Sequence, residues 1–249
     1  MIVLKSEKEI RQMFEACRIS AEALKVAGEA VEPGISTWEI DRIARKYIES
    51  KGAIPTFLNY NGFPAAACIS INDEVIHGIP DKAHILRSGD IVSIDLGASI
   101  NGFTGDNAAT FGCGDISAEA KRLMETTEES LYVGIRKAVP GSRIGDVGNA
   151  IQTYCEERGY SVVREYTGHG VGARLHEDPA VPNYGTPGRG VRLVPGMTIA
   201  IEPMINQGKA SVKTLSNGWT VKTTDGKLSA HFEHTVAITS SGPLIMTKL

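Results

Sequence analysis

Asp95, Asp106, Glu202 and Glu233 are four acidic side chains drawn from two distant stretches of a 249-residue chain, and His169 lies between two glycines ahead of the second pair. Four carboxylates and one imidazole make a mixed oxygen and nitrogen set for two divalent cations. The charges agree. Four carboxylates carry −4 and two dications +4, so a filled site is neutral, whereas an empty cluster is strained by like-charge repulsion. Oxygen-rich ligation with one imidazole suits Mn(II), Fe(II), Co(II) or Zn(II) better than Cu(I) or an iron–sulfur cluster. Two adjacent dications acidify water near neutral pH and polarise a carbonyl, which is hydrolytic chemistry. A redox iron site ordinarily uses two histidines and one carboxylate, the opposite balance.

For this chemistry the acids must meet. Residues 91–100 and 103–111 read as strands, and Asn101-Gly102 between them is a strong two-residue hairpin signal. That turn pairs Ile100 with Phe103 and Asp95 with Ala108. Asp106 is two residues from Ala108, so it shares a face with Asp95, with backbones roughly 7–8 Å apart. Carboxylates reaching inward from there can hold cations about 3.5–4 Å apart. A bulge in either arm would reverse the parity. Asp95 sits in Val92-Ser93-Ile94-Asp95-Leu96, too apolar for a solvated face, and a buried carboxylate needs a partner or a metal. In the second stretch Ala200 and Glu202 share one face while Ile199 and Ile201 take the other. A hairpin at Asn217-Gly218 would set Glu202 opposite Glu233. Its arms are long for ordinary strands, and Gly208 invites a break.

The helices carry local signals. Ser6 with Glu9, and Ser36 with Glu39, are capping boxes. The first opens a helix to about Gly28 with Ile10, Met13, Phe14, Cys17, Ile19 and Leu24 as its apolar side. The second opens one with a stripe of Ile40, Ile43, Tyr47 and Ile48 that Gly52 ends. The punctuation then repeats. Pro33-Gly34 returns as Pro140-Gly141, a shift of 107 residues. The same shift carries Ile40 to Val147, Tyr47 to Tyr154, Gly52 to Gly159, and the segment Gly89 to Asp95 onto Gly196 to Glu202. A repeat this long is no solenoid unit. It predicts two duplicated αβ halves related by a pseudo-twofold, roughly 1–115 and 116–249, within one domain spanning 1–249.

Six histidines occur. The glycines around His169 allow close backbone approach and unusual torsions. Gly168, Gly170 and Gly172 do not make a GxGxxG fingerprint and no P-loop lysine follows, so nucleotide binding is disfavoured. No HExxH helix is present. His77 and His176 could donate to a tetrahedral oxyanion or a scissile nitrogen, and Glu202 could relay a proton. His231 and His234 flank Glu233 and are set aside as pointing away from it. His84 has no informative context.

Composition is ordinary for a globular chain, 42% hydrophobic and 22% charged, with a net charge of −3 that gives no hint of nucleic-acid or membrane affinity. The start, MIVLKSEKEIRQ, contains neither a signal peptide nor a span. Cys17, Cys68, Cys113 and Cys155 form no C-x-x-C pair, so free thiols in a reducing cytoplasm are expected.

Taken together, Ser70 to Pro80, Asp90 to Asp95, Gly105-Asp106, Gly168 to Gly172, Ile201 to Met204 and Glu233-His234-Thr235 resemble the bacterial type I methionine aminopeptidases, nearly end to end. The resemblance implies the α+β pita-bread fold, two pseudo-twofold-related αβ halves around a central antiparallel sheet. It implies that Asp106 and Glu233 bridge two divalent metals (Co, Mn, Fe or Zn), with Asp95 completing one and His169 and Glu202 the other. It implies His77 and His176 as substrate-contacting histidines, and a methionine pocket of Tyr60, Phe63, Cys68 and Trp219, with Phe57 and Leu175 at further pocket positions. A monovalent cation near Asn72 and Ser229 is also implied. The activity expected is removal of the initiator methionine from nascent chains by a dimetal-bridged hydroxide, by a monomer close to the ribosome, with no membrane or specific nucleic-acid partner. Related creatinases and prolidases carry an extra domain ahead of this fold, and here the first helix begins almost at Met1. The alternatives are an Xaa-Pro aminopeptidase and, in a different class, a non-catalytic protein-binding homologue. A two-metal oxidase is disfavoured.

Overall fold

Both capping boxes form. In the computed structural model, which describes residues 1–249, α1 (Glu7–Glu29) starts at Ser6 and α2 (Thr37–Ser50) at Ser36, each serine bonded to the N–H of the glutamate three residues on while that glutamate bonds back. Two more helices follow, α3 (Ala118–Lys137) and α4 (Ile144–Glu156). The first half also contains β1 (Ile54–Pro55), β2 (Ala67–Ile71), β3 (Glu74–Ile76), β4 (Ile91–Ile100) and β5 (Phe103–Gly112). The second contains β6 (Ser161–Val162), β7 (Gly168–Gly170), β8 (Glu177–Val181), β9 (Thr198–Ile201), β10 (Met204–Asn206), β11 (Val212–Thr214), β12 (Val221–Thr223), β13 (Ser229–His231), β14 (His234–Thr239) and β15 (Gly242–Ile245). The fold is α+β, and every strand pairing is antiparallel, divided among four hydrogen-bonded sheets. No helix is long and apolar enough to cross a membrane.

The Asn101-Gly102 hairpin has the register its turn dictates. Ile100 faces Phe103, Asp95 faces Ala108 and Gly97 faces Asp106, with no bulge in either arm. Helix α1 lies directly on β5. A Cβ on Gly105 would come within 2.4 Å of the Cys17 backbone, so the residue beside Asp106 must be glycine for the helix to seat. The buried stripe of α2 runs through Thr37, Ile40, Asp41, Ala44 and Ile48, while Ile43 and Tyr47 are only half-buried.

The duplication is visible atom by atom. Gly34 N–H bonds to the Leu86 carbonyl, and Gly141 N–H to that of Leu193. Isolated bridges join Ser36 to Ile85 and Arg143 to Arg192. All four residues of the first half move onto those of the second by the same 107-residue shift. Each half has its own core. One cluster gathers Ile19, Ile40, Ile69, Ile94 and Leu96, the other Leu123, Val147, Ile151, Ile199 and Ile201. The halves are stitched across β5 and β14. Glu233 N–H bonds to the Ala108 carbonyl, and the Thr235 hydroxyl donates to the Asp106 carbonyl.

The duplication is not complete at the acids. Gly89 N–H bonds to the Cys113 carbonyl and Cys113 N–H to that of Asp90. Gly196, Ile238 and Met197 repeat this pattern. Cys113 and Ile238 are therefore equivalent. Counting back along each strand, Ala108 is the counterpart of Glu233, and Asp106 that of His231. Asp95 and Glu202 are true equivalents; Asp106 and Glu233 are not.

Asn217-Gly218 also closes a hairpin. Its arms break into β11, β10 and β9 on one side and β12, β13 and β14 on the other, but the pairing from Thr214 with Val221, through Met204 with His231, to Thr198 with Ala237 keeps one constant register. The interruption between β10 and β11 falls at Gly208, and the interruption between β9 and β10 falls at Glu202 itself.

Candidate metal centre

The four acids and His169 line one pocket, at the junction of β4, β5, β7 and the gap between β9 and β10. His169 Nε2 lies 3.6 Å from Asp106 Oδ2 and 3.5 Å from Glu202 Oε1. Ligand atoms of Asp106, His169 and Glu233 all lie within 4.8 Å of one another. Asp106 and Glu233 are each only 2% exposed. His169 Nδ1 donates to the Gly170 carbonyl at 2.9 Å, which leaves Nε2 as the unprotonated nitrogen facing the acids. The glycines beside it are required by space. A Cβ on Gly168 would meet the Ala200 carbonyl oxygen at 2.3 Å, and one on Gly170 that of Asp178 at 2.2 Å, so only glycine lets β7 lie between β8 and β9. Neither glycine needs a left-handed backbone. Close approach is the reason, and unusual torsion is not.

These groups fit divalent cations. Asp95 Oδ1, Asp106 Oδ1 and Glu233 Oε1 are buried with no hydrogen-bond partner, a costly arrangement for carboxylates unless a cation satisfies them. Burial pushes Asp95 up to about 7, beside Glu202. Burial alone lifts Glu202 to about 8. Asp106 and Glu233 rise well above the carboxylate range through burial and then through their acidic neighbours. Groups raised in the fold favour the protonated protein. Their contribution to the stability of metal-free protein is fullest below about pH 4, where carboxyls of the unfolded chain also hold their protons, and is lost as pH climbs towards 8. Cation binding needs the anions and reverses the penalty. The buried histidines, held below their ordinary 6.5, act with the opposite sign only below about pH 7, so metal-free protein should melt at lower temperature at pH 8 than at pH 7, and excess Mn(II) should restore the pH 8 value. A melting temperature that rises over that interval in the metal-free state would contradict the clustering.

The whole pocket has a volume of about 240 Å³, and the part away from the acids is walled by apolar side chains. Phe57, Phe63, Cys68 and Leu175 form a buried cluster against which Tyr60 and Trp219 pack, so all six expected pocket residues come together. Trp219 stands edge-on to Phe63, with centroids 5.2 Å apart. Tyr60 enters from a loop whose far end is tied down, because the buried Asp41 carboxylate accepts the N–H groups of Ala66 and Ala67. His77 and His176 also line the pocket. His77 has φ of 58°, uncommon for a non-glycine residue, and burial holds its imidazole down at about 4. His176 Nδ1 lies 2.8 Å from the Tyr60 hydroxyl, and its ring stands 4.3 Å from that of His169.

The loop presenting Leu175 and His176 is clamped from the chain's start. Lys5 Nζ lies 2.7 Å from Glu177 Oε2, with side chains 5% and 4% exposed, and the other Glu177 oxygen accepts the Arg174 N–H. Lys5→Met would strand a buried carboxylate. A loss of about 3–5 kcal/mol is expected in urea unfolding, with partial recovery in Lys5→Met/Glu177→Leu. A loss under 1 kcal/mol would show that the pair contributes little.

One reading of the sequence fails. His231 does not point away from the acids. It lies two residues before Glu233, so strand alternation puts both on one face, and its Nε2 is 3.4 Å from Glu202 Oε2. His234 does turn away, towards Tyr132 and Thr247. Tyr166, edge-on to His77 at 5.8 Å, and Asp41 were also missed. Asp41 could have been found as the acid on the buried stripe of α2. Asn72 and Ser229 do meet, but the Asn72 side chain is spent on Asp90 and the Ile91 N–H, its carbonyl takes the Ser229 N–H, and Ser229 Oγ donates to Ile205.

Residues 11–240 match metallopeptidase family M24. The methionine aminopeptidase of Clostridium acetobutylicum is 53% identical over 247 residues, 99% of each chain. Methionine aminopeptidase 1 of Bacillus subtilis is 53% identical over 249 residues, the whole of both chains. The solved methionine aminopeptidase of Rickettsia prowazekii superposes with a TM-score of 0.98 at 42% identity, covering 100% of both chains. A prolidase from Pyrococcus horikoshii superposes with a TM-score of 0.78 at 26% identity, and the match covers 64% of that longer chain.

Proposed function

This chain belongs to metallopeptidase family M24, and on that premise we propose that it is a methionine aminopeptidase, with two divalent cations held by Asp95, Asp106, His169, Glu202 and Glu233. The observation that carries the reading is the junction of two environments in one cavity, with unpartnered buried carboxylate oxygens at one end and an apolar, aromatic-rimmed slot at the other. We read residues 1–249 as one catalytic unit, because Asp95 and Asp106 come from the half 1–115 and the other three from 116–249. In this reading Asp106 and Glu233, each with a buried unpartnered oxygen, would hold the cations together with Asp95, His169 and Glu202. A cation pair, when bound, supplies hydroxide near neutral pH and polarises the carbonyl oxygen.

The protein's own groups do the rest. Phe57, Tyr60, Phe63, Cys68, Leu175 and Trp219 take the methionine side chain, whose thioether makes favourable contacts with ring edges. The Tyr60 hydroxyl lies 2.8 Å from His176 Nδ1; donating there, it would put the ring's own proton on Nε2 and make that nitrogen a donor for the oxyanion. His77, kept neutral by burial, donates towards the scissile nitrogen. Glu202 takes a proton from water and gives it to the leaving amine. A monovalent cation near Asn72 and Ser229 would be held by carbonyl oxygens and by the free lone pairs of Ser229 Oγ. The substrates are peptides and nascent chains with N-terminal methionine, met near the ribosome. The buried, unpaired cysteines suit the reducing cytoplasm.

The test is turnover of a Met-Ala-Ser peptide by metal-free protein titrated with Mn(II), Fe(II) and Co(II), beside an Xaa-Pro peptide. Metal-dependent release of methionine alone is expected. Preferential cleavage of the Xaa-Pro peptide would make this a prolidase-like exopeptidase, and no turnover with any cation would favour a binding protein.

A further inference from the structure

His231 has no part in the chemistry assigned above, yet its side chain is 1% exposed and neither ring nitrogen has a hydrogen-bond partner of ordinary length. Burying an imidazole in this way is costly. Its surroundings give the reason. Nε2 lies 3.4 Å from Glu202 Oε2, while the other oxygen of that carboxylate, Oε1, lies 3.5 Å from His169 Nε2. Glu202 thus sits between two imidazoles, one at each oxygen. The backbone of His231 is pinned from the other half of the chain. The Thr110 hydroxyl accepts its N–H and donates to its carbonyl, both at 2.9 Å, and Ser93 Oγ lies 2.8 Å from Thr110 Oγ1.

We propose that His231 is the positioning residue for Glu202, its Nε2–H holding Oε2 so that Oε1 alone turns to the cation shared with His169. The inference rests on the two-cation reading above. A distance of 3.4 Å is slightly long for a settled N–H···O bond, which spans about 2.7–3.2 Å, and a carboxylate ionised against a cation closes it. Without this donor the carboxylate is free to rotate, to chelate with both oxygens or to swing aside. Groups that orient a metal-binding side chain in this way are commonly worth about 10–100-fold in metal affinity or activity.

The experiment compares metal-free wild type, His231→Gln and His231→Leu by calorimetric titration with Mn(II), by the visible absorption of the Co(II)-loaded proteins, and by kcat at saturating metal, with the unfolding midpoint of each as the folding control. His231→Leu should bind Mn(II) about 10–100-fold more weakly. His231→Gln, whose amide N–H can replace the donor, should recover most of that affinity and keep the wild-type Co(II) bands, because no nitrogen leaves the coordination. Wild-type affinity and kcat in His231→Leu would overturn the proposal. So would a His231→Gln protein that folds normally and binds as weakly as His231→Leu. Co(II) bands altered in His231→Gln would make His231 a ligand rather than a positioning residue, which also overturns it. A wild type that takes up no cation would instead remove the two-cation reading.

Discussion

Asp106→Ala is expected to abolish methionine release and metal loading together. The side chain is 2% exposed, its Oδ1 has no partner, and its Oδ2 faces His169 Nε2 at 3.6 Å. In the proposed site it would stand at the centre of the ligand cluster with His169 and Glu233, and without it the three remaining carboxylates no longer balance two dications. The same change should act with opposite sign on the empty protein. Asp106 is raised by burial and by Asp95 and Glu202, so removing its charge relieves a repulsion. Asp106→Asn, which keeps the volume, isolates this effect. Metal-free Asp106→Asn should unfold at a denaturant concentration no lower than metal-free wild type at pH 8, although it cannot be loaded. Full turnover with normal metal content in Asp106→Ala would refute the assignment. A metal-free Asp106→Asn protein markedly weaker than wild type would refute the repulsion.

His176→Ala separates chemistry from metal binding. A drop in kcat of about 10²–10³-fold is expected, the usual consequence of deleting one oxyanion donor, with metal content and KM little changed. In the proposed site the Tyr60 hydroxyl, 2.8 Å from His176 Nδ1, is the donor that selects the tautomer. Tyr60→Phe should therefore lower kcat in the same direction by a smaller factor, since the ring keeps its place in the loop clamped by Lys5 and Glu177 and loses only the proton bias. Unchanged turnover in His176→Ala would remove its role in the transition state. A Tyr60→Phe loss equal to that of His176→Ala would mean that the tyrosine itself touches the reacting centre.

The parts of this structure readable in the sequence are those fixed by short-range rules. Ser6 with Glu9, and Ser36 with Glu39, needed only three-residue geometry. The Asn101-Gly102 turn sets its own strand register, so the shared face of Asp95 and Asp106 followed from counting. The long arms around Asn217-Gly218 were harder to read, because strand length argued against them. The chain keeps the register and interrupts the ladder instead, at Glu202 and at Gly208. His231 was misread although the period of two places it correctly, and Tyr60 as the partner of His176 lies 116 residues away, beyond any local rule. The seam of β5 with β14 is likewise a product of tertiary packing.

The offset between the halves adds to the asymmetry of the cleft. Had Asp106 and Glu233 been true counterparts, a rotation of half a turn would have carried one pair of acids onto the other. Because the partner of Asp106 is His231 and that of Glu233 is Ala108, the two rims present different chemistry. The acidic floor is therefore lopsided in its own right, and with the apolar slot at one end alone the proposed peptide substrate is expected to have a single productive orientation.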